Sequence, residues 1–333
     1  MTKNLALLLA LFGMLAACGD GDGTNPVNRP GEEETDGGGS EEEETVLPGT
    51  KNPTSDGSIT RYEEQDDTSG NGYAQSVSYD SSTDTFYVDN LGFDAANVYK
   101  RDDQVASLGS YRVYEASDTF YDSMTGKPIS QLTPYKAIHG VSRTGQTQFA
   151  IVRTGAYIDY GFGGFLYARN GSVTLPTAGQ ATYAGDYAGL RDFKARGDLE
   201  YVTGDMTVDI DFEDFNDGDA VKGRVFNRRV YAMDGTDITD QIVGAIEGAT
   251  ALPSLVFEIG PGVTTEAGEI SGGVTSTYYN DKGALEQYEG GNYYAIVSGK
   301  NAEEIVGVIV VESEDPRFEG VTARETGGFI LYR

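Results

Sequence analysis

A chain of 333 residues with 53 acidic against 24 basic side chains carries a formal charge of −29. That balance excludes nucleic acid as a partner, because binding a phosphate backbone depends on Lys and Arg releasing its counterions. One histidine and one cysteine exclude an ordinary zinc site and any intramolecular disulfide, and 45 Gly with 10 Pro imply many turns.

At the N-terminus, Lys3 precedes an apolar run over residues 5–17, too short to span a bilayer as a permanent helix but suited to a signal-peptide core. The run ends in Leu15-Ala16-Ala17-Cys18, which is similar to a bacterial lipobox, where small residues admit the signal peptidase and the cysteine thiol receives a lipid. The expectation is therefore a lipoprotein signal peptide over 1–17 and lipidation, diacylglycerol and palmitate, at Cys18. Gly19 rather than Asp follows Cys18, which favours the outer membrane over the inner one. The exposed face, cell surface or periplasm, is left open.

Residues 18–56 have no apolar period and carry Glu32-Glu33-Glu34 and Glu41-Glu42-Glu43-Glu44. They read as an acidic disordered tether, extended by self-repulsion. A Gaussian Gly-rich chain of that length spans about 35 Å, and a stretched one on the order of 130 Å. Either reach lifts a domain clear of lipid headgroups. Cation binding by the acidic block is the alternative role.

Residues 57–178 read as a β-rich domain of short strands. Thr85-Phe86-Tyr87-Val88, Tyr111-Arg112-Val113-Tyr114 and Gln148-Phe149-Ala150-Ile151-Val152-Arg153 are rich in β-branched and aromatic residues. Asn170-Gly171 is a hairpin signal, and Pro176-Thr177-Ala178-Gly179 marks a boundary.

From residue 180 the pattern becomes regular. Met206, Val208, Ile210 and Phe212 alternate with Thr207, Asp209, Asp211 and Glu213, the mark of a half-buried strand. Asp217-Gly218 then suggests a type I′ turn, which would set Glu213 opposite Lys222, Asp211 opposite Arg224 and Ile210 opposite Val225. Further strands are expected at 181–190, 255–259, 269–278, 292–298, 305–311 and 327–332. Eight strands suffice to close a small antiparallel barrel filled by side chains, which removes exposed edges. A helix is expected over 239–247, with Thr239 as N-cap and Gly248 beyond its end.

Three segments carry a family resemblance. Gly299-Lys300-Asn301-Ala302-Glu303-Glu304-Ile305-Val306-Gly307 resembles the turn between late barrel strands in the transferrin-binding protein B family of Gram-negative surface lipoproteins. Tyr183-Ala184-Gly185-Asp186-Tyr187-Ala188-Gly189 resembles the opening barrel strand, and Gly327-Gly328-Phe329-Ile330-Leu331-Tyr332-Arg333 the closing one. The resemblance implies an all-β single lobe: a handle over 57–178 and an eight-stranded barrel over 179–333. Its founding members have two lobes, and no residue here matches their transferrin contacts. Within the turn, residues 301–304 are assigned to turn geometry, with Glu303 and Glu304 solvated.

Chemistry is sought and not found. His139 has no nucleophile elbow near it, and a structural role is expected. The run from Asp209 to Asp219 fails the EF-hand pattern, since Asp214 stands where Gly is required; weak calcium binding at the 214–219 turn stays open. Tyr160-Gly161-Phe162-Gly163-Gly164-Phe165 lacks the Lys of a phosphate loop, so its glycines read as close packing of aromatic strands. Twenty-two tyrosines are assigned to packing before recognition. The expected protein is non-enzymatic, with no cofactor, metal or catalytic residue. It is held to a membrane by lipid on Cys18 and captures an unknown protein or solute ligand for iron or solute uptake, with an outer-membrane transporter as a further expected partner. The alternative is a structural envelope lipoprotein that scaffolds another outer-membrane component.

Overall fold

The structure, a computed structural model, describes residues 47–89, 91, 98–116, 119–122, 124–130, 134–156, 159–214 and 220–333. Residues 1–46, with Cys18 and most of the tether, and residues 215–219 of the acidic turn lie outside them.

The first part is a curled antiparallel sheet, the handle. Its strands are β1 (Ile59–Tyr62), β2 (Ser76–Asp80), β3 (Thr85–Asp89), β4 (Val98–Arg101), β5 (Ser107–Leu108), β6 (Tyr111–Ala116), β9 (Lys136–Val141), β10 (Thr147–Arg153) and β11 (Gly163–Arg169). They run in the order β1-β11-β10-β9-β6-β4-β3-β2, with β5 added to β6. Between β6 and β9, β7 (Thr119–Tyr121) and β8 (Pro128–Ser130) form a separate hairpin.

The second part is a closed eight-stranded antiparallel barrel. It comprises β12 (Gln180–Lys194), β13 (Glu200–Asp211), β14 (Val221–Ala232), β15 (Leu255–Phe257), β16 (Glu269–Tyr279), β17 (Leu285–Ser298), β18 (Glu304–Glu314) and β19 (Thr322–Tyr332). β12 pairs with both β13 and β19, so the first barrel strand closes on the last. The sheet therefore ends in no free edge. α1 (Thr239–Val243) lies in the connection from β14 to β15.

Alternation decides which side chains go where. Tyr183, Met206, Val208, Ile210, Val225, Val274, Tyr293 and Phe329 fill the barrel with apolar volume. The opposite faces of β17, β18, β19 and β12 are apolar as well, and the handle covers them. Ile59, Val113, Ile138, Phe149, Ile151, Phe165 and Tyr167 pack there against Leu190, Tyr294, Ile296, Val306, Val308, Val310 and Ile330. A third cluster, with Phe86, Tyr99, Tyr114, Tyr135, Val152 and Leu166, covers the far side of the handle sheet.

Four expectations need correction. The β13–β14 register sets Asp209 opposite Lys222, Thr207 opposite Arg224 and Met206 opposite Val225, four residues away from the expected pairing. The even shift keeps the apolar row inside; the last bond of this ladder runs from the Asp211 N–H to the Ala220 carbonyl, which leaves a longer connection than a two-residue turn. Asn170-Gly171 makes no hairpin: Gly171 has φ +101°, and the chain leaves the handle there to bring Val173 beside Gly299. α1 is five residues long and Thr239 does not cap it, because its hydroxyl accepts the Val230 N–H. Glu304 is buried, not solvated, since the strand face it shares with Val306 and Val308 lies under the handle.

Candidate functional site

The barrel lumen is the first place to look for a ligand, and it is filled. Its half nearest the β17–β18 turn is apolar. The other half holds a balanced set of charges contributed by inward positions of five strands. The Arg228 guanidinium donates to both Glu289 oxygens at 2.6 and 2.8 Å and to Glu325 at 2.8 Å. Tyr187 donates to Glu325 and Ser276 to Glu289. Arg191 and Arg317 each reach Glu200 at 2.8 Å. Burial pushes the Glu289 carboxyl up, and Arg228 beside it overcomes that and holds it below its ordinary value. The lumen is a plug and not a pore.

Outside the handle's cover, the barrel wall is polar. Thr182, Asp205, Asp209, Lys222, Arg224 and Arg229 point outward and are exposed. A membrane-spanning barrel needs an apolar outer band, so this wall is built for water. Among the described residues no helix is long and apolar enough to cross a membrane.

Handle and barrel are joined by charge as well as by apolar packing. Arg153 donates to Glu63 at 2.7 and 3.0 Å and lies 3.5 Å from Asp192 of the barrel. Arg61 reaches Glu269 at 2.6 Å. Arg169 donates to five carbonyls, those of Thr54, Gly57, Gly171, Ala267 and Val297, which ties the incoming chain, the handle and the barrel together. Thr144 and Thr147 donate to buried Glu304.

These contacts give the molecule two distinct ends. Residue 47 enters beside Arg61 and Glu269, at the barrel end that carries the β17–β18 turn. The opposite rim is made by the loops 195–199, 233–254, 280–284 and 315–321. The β7–β8 hairpin leaves the handle on the same side, where Lys136 and Asp102 meet Tyr201 at the start of β13. Apolar side chains stand free there: Met124 is 93% exposed, Tyr121 71%, Tyr279 66% and Leu285 59%. The rim loops combine Tyr279 and Leu285 with exposed Asp234, Asp237, Asp240, Glu247 and Asp281, the composition of a contact surface with apolar anchors in an acidic surround.

The residues considered as candidates fall elsewhere. His139 is buried between Tyr79 and Phe86, and burial pushes its pKa down to about 4. Asp209 and Asp211 are engaged by Thr182 and Gln180 on the outer wall. Gly164 sits against Ala74, and Gly163 against the Val152 carbonyl, so the Tyr160–Phe165 glycines serve close packing. Tyr99, Tyr114, Tyr135, Tyr183, Tyr187, Tyr201 and Tyr293 are among the largest fully buried side chains, so many of the tyrosines serve packing. These exposed tips were missed because Met124 and Leu285 are single large apolar side chains beside polar turn residues, a weak signal one position at a time.

The chain is similar to solved structures of transferrin-binding protein B. Against a double mutant of that protein from Haemophilus parasuis Hp5 the identity is 10% and the TM-score 0.35, over 75% of this chain and 41% of that one. Against the intact two-lobed protein designated Ap the values are 14% and 0.34, over 74% and 44%. The N-lobe domain of lactoferrin-binding protein B of Moraxella bovis aligns at 11% and 0.19, over 68% and 99%. The chain thus spans less than half the length of the first two. No protein-family model and no curated protein matches it.

Proposed function

We propose that this chain is an outer-membrane lipoprotein, anchored through Cys18, that acts as a non-enzymatic binding module. In this reading residues 18–56 are the tether, 57–178 the handle and 179–333 the barrel. The rim opposite the tether captures a protein or small ligand for iron or solute uptake, alongside a membrane transporter. The observation that carries the reading is the exposure of Tyr279 and Leu285 at the barrel rim and of Tyr121 and Met124 on the β7–β8 hairpin, away from the entry of residue 47. A tether leaving that entry end would turn the rim outward. The welded handle and barrel keep the rim preorganised, which lowers the ordering cost of binding.

The anchor is tested by labelling cells with a palmitate analogue: label on the natural chain and none on Cys18→Ser is expected. Capture is tested by pull-down from envelope extracts and thermal shift against haem, siderophores and iron proteins. A partner bound by the natural chain and lost after combined Tyr121→Ser, Met124→Ser, Tyr279→Ser and Leu285→Ser substitution supports the reading, and binding to none of them overturns it. Protease shaving of intact cells separates the cell surface from the periplasmic face. A deletion that damages the envelope in rich medium would favour the scaffolding role instead.

A further inference from the structure

A second recessed surface lies where the handle loop 104–109 faces the outer wall of β13 and β14, with Gly235 of the rim loop 233–254 at its edge. It is a groove of about 630 Å³, within the size range of small-molecule sites. Both of its walls are held in place. On the handle side the Asp102 carboxylate accepts the Gln104 and Val105 N–H groups at 2.8 and 2.9 Å, and is itself held by Lys136 and Tyr201. The loop's far end is tied to the barrel by Ser110, whose N–H and hydroxyl both donate to Asp186.

The barrel side of the groove is irregular in a ladder that is otherwise regular. The β13–β14 register shifts between Thr203 and Asp205, and Asn227 opposite the shift has φ +52°. Asn is one of the few residues other than Gly that enter the left-handed region readily, and bulges recur where a strand must re-aim side chains toward a site. Here the irregularity brings Asn227 against Asp205, the amide donating to the carboxylate at 2.7 Å. Both side chains are exposed in the groove.

The lining chemistry narrows the ligand. Asp186 is occupied by Ser110, and Arg229 lies 3.1 Å from Asp237, so each formal charge beside the pair already has a partner. What is left is planar and polar: Gln104, Asp205 and Asn227, with the hydroxyls of Ser107 and Thr203, beside the apolar bodies of Leu108 and Tyr231. No group of three or more metal-ligating side chains occurs among the described residues. A carboxylate accepts from sugar hydroxyls and an amide both donates to and accepts from them, and a half-buried tyrosine offers a ring for an apolar sugar face. We propose that this groove binds a short neutral saccharide through Asp205, Asn227 and Gln104.

Such a saccharide could come from a glycoprotein or from the bacterial surface, and the test distinguishes them. Full-length protein in detergent is applied to immobilised N-glycans and, separately, to oligosaccharides released from purified lipopolysaccharide, and bound sugars are titrated by calorimetry. Asn227→Gly, which tolerates the backbone, and Asp205→Ala are expected to weaken binding at least about tenfold with an unchanged thermal midpoint. Binding in either arm with that loss supports the proposal and names the source. No saccharide bound, binding indifferent to both substitutions, or preferential binding of spermidine would overturn it. The rim substitutions leave saccharide binding intact if the two surfaces are separate, so failure of one proposal is readable without the other.

Discussion

Asp192 and Arg324 face each other across the seam where the first barrel strand meets the last, joined at 3.0 and 2.5 Å by two parallel hydrogen bonds. The pair lies on the handle-facing side of the wall, with Arg153 of β10 3.5 Å from the same carboxylate. One buried anion thus serves barrel closure and handle docking together.

Removing that anion leaves the buried Arg324 guanidinium without its carboxylate and takes a second one from Arg153, which keeps Glu63. Asp192→Ala is expected to cost about 3–5 kcal/mol, read from the urea midpoint. Barrel and handle should lose stability together, seen as coincident transitions by circular dichroism and by tyrosine fluorescence. Separate transitions would show that the two parts are not coupled through this residue.

The lumenal charges make the opposite prediction for single and combined changes. Arg228→Met alone leaves Glu289 and Glu325 buried without their cation and is expected to cost about 3–5 kcal/mol. Replacing Arg228, Glu289 and Glu325 together by apolar residues, with Tyr187→Phe and Ser276→Ala to avoid orphaned hydroxyls, should return stability to within about 1 kcal/mol of the natural chain or above it. A combined variant no better than the single one would contradict the picture of a closed plug.

Adjacent glycines of β19 receive rings from opposite sides of the sheet. A Cβ on Gly327 would meet the Tyr187 ring from the lumen, and one on Gly328 would meet Phe149 from the handle. Phe149→Ala should cost about 3–5 kcal/mol, and Gly328→Ala about 1–3 kcal/mol through overpacking. Together they should cost clearly less than the sum, because the new methyl enters the vacated space. Additive losses in a double-mutant cycle would remove the claimed contact.

His139 predicts a dependence on pH. Burial holds the folded-state pKa near 4, against an unfolded value of 6.5, and a hydrogen bond to Gln148 only partly opposes this. Between those values the unfolded chain binds a proton that the folded one does not. Stability from this residue is therefore complete above pH 6.5 and lost as the pH falls toward 4, by on the order of 3 kcal/mol. His139→Phe, placed beside Tyr79 and Phe86, should flatten the difference between urea midpoints at pH 7.5 and 4.5. An unchanged slope would place the sensitivity in the carboxylates instead.

Much of the barrel is legible in the sequence because one face of each strand is apolar and period two is hard to mistake. The expected and observed strands agree for β16 and β18 to within a few residues. What escaped is what depends on a second covering layer. Glu304 reads as a surface residue until the handle is seen above it, although the unbroken apolar run from Ile305 to Val311, relieved only by Gly307, is the mark of a strand buried on both faces. The burial of Arg191 and Arg228 has no signal in the sequence, because no local pattern announces the glutamates of β13, β17 and β19 that neutralise them. The β13–β14 register escaped for a different reason: registers four residues apart put the same alternating apolar row inside, so the pattern alone does not choose between them.

The seam between β12 and β19 also sets an order of assembly. Tyr111 of the handle donates its hydroxyl to the Asp186 carbonyl and accepts the Ile330 N–H, so handle docking too depends on the last strand. The eleven residues of β19 are a keystone. Until they pair, the apolar faces of β12 and β18 and the underside of the handle have nothing to close against, and the long sequence separation of these contacts makes closure slow. A barrel built this way stays unlocked until its first and last strands meet, and handle and barrel then set into one body together.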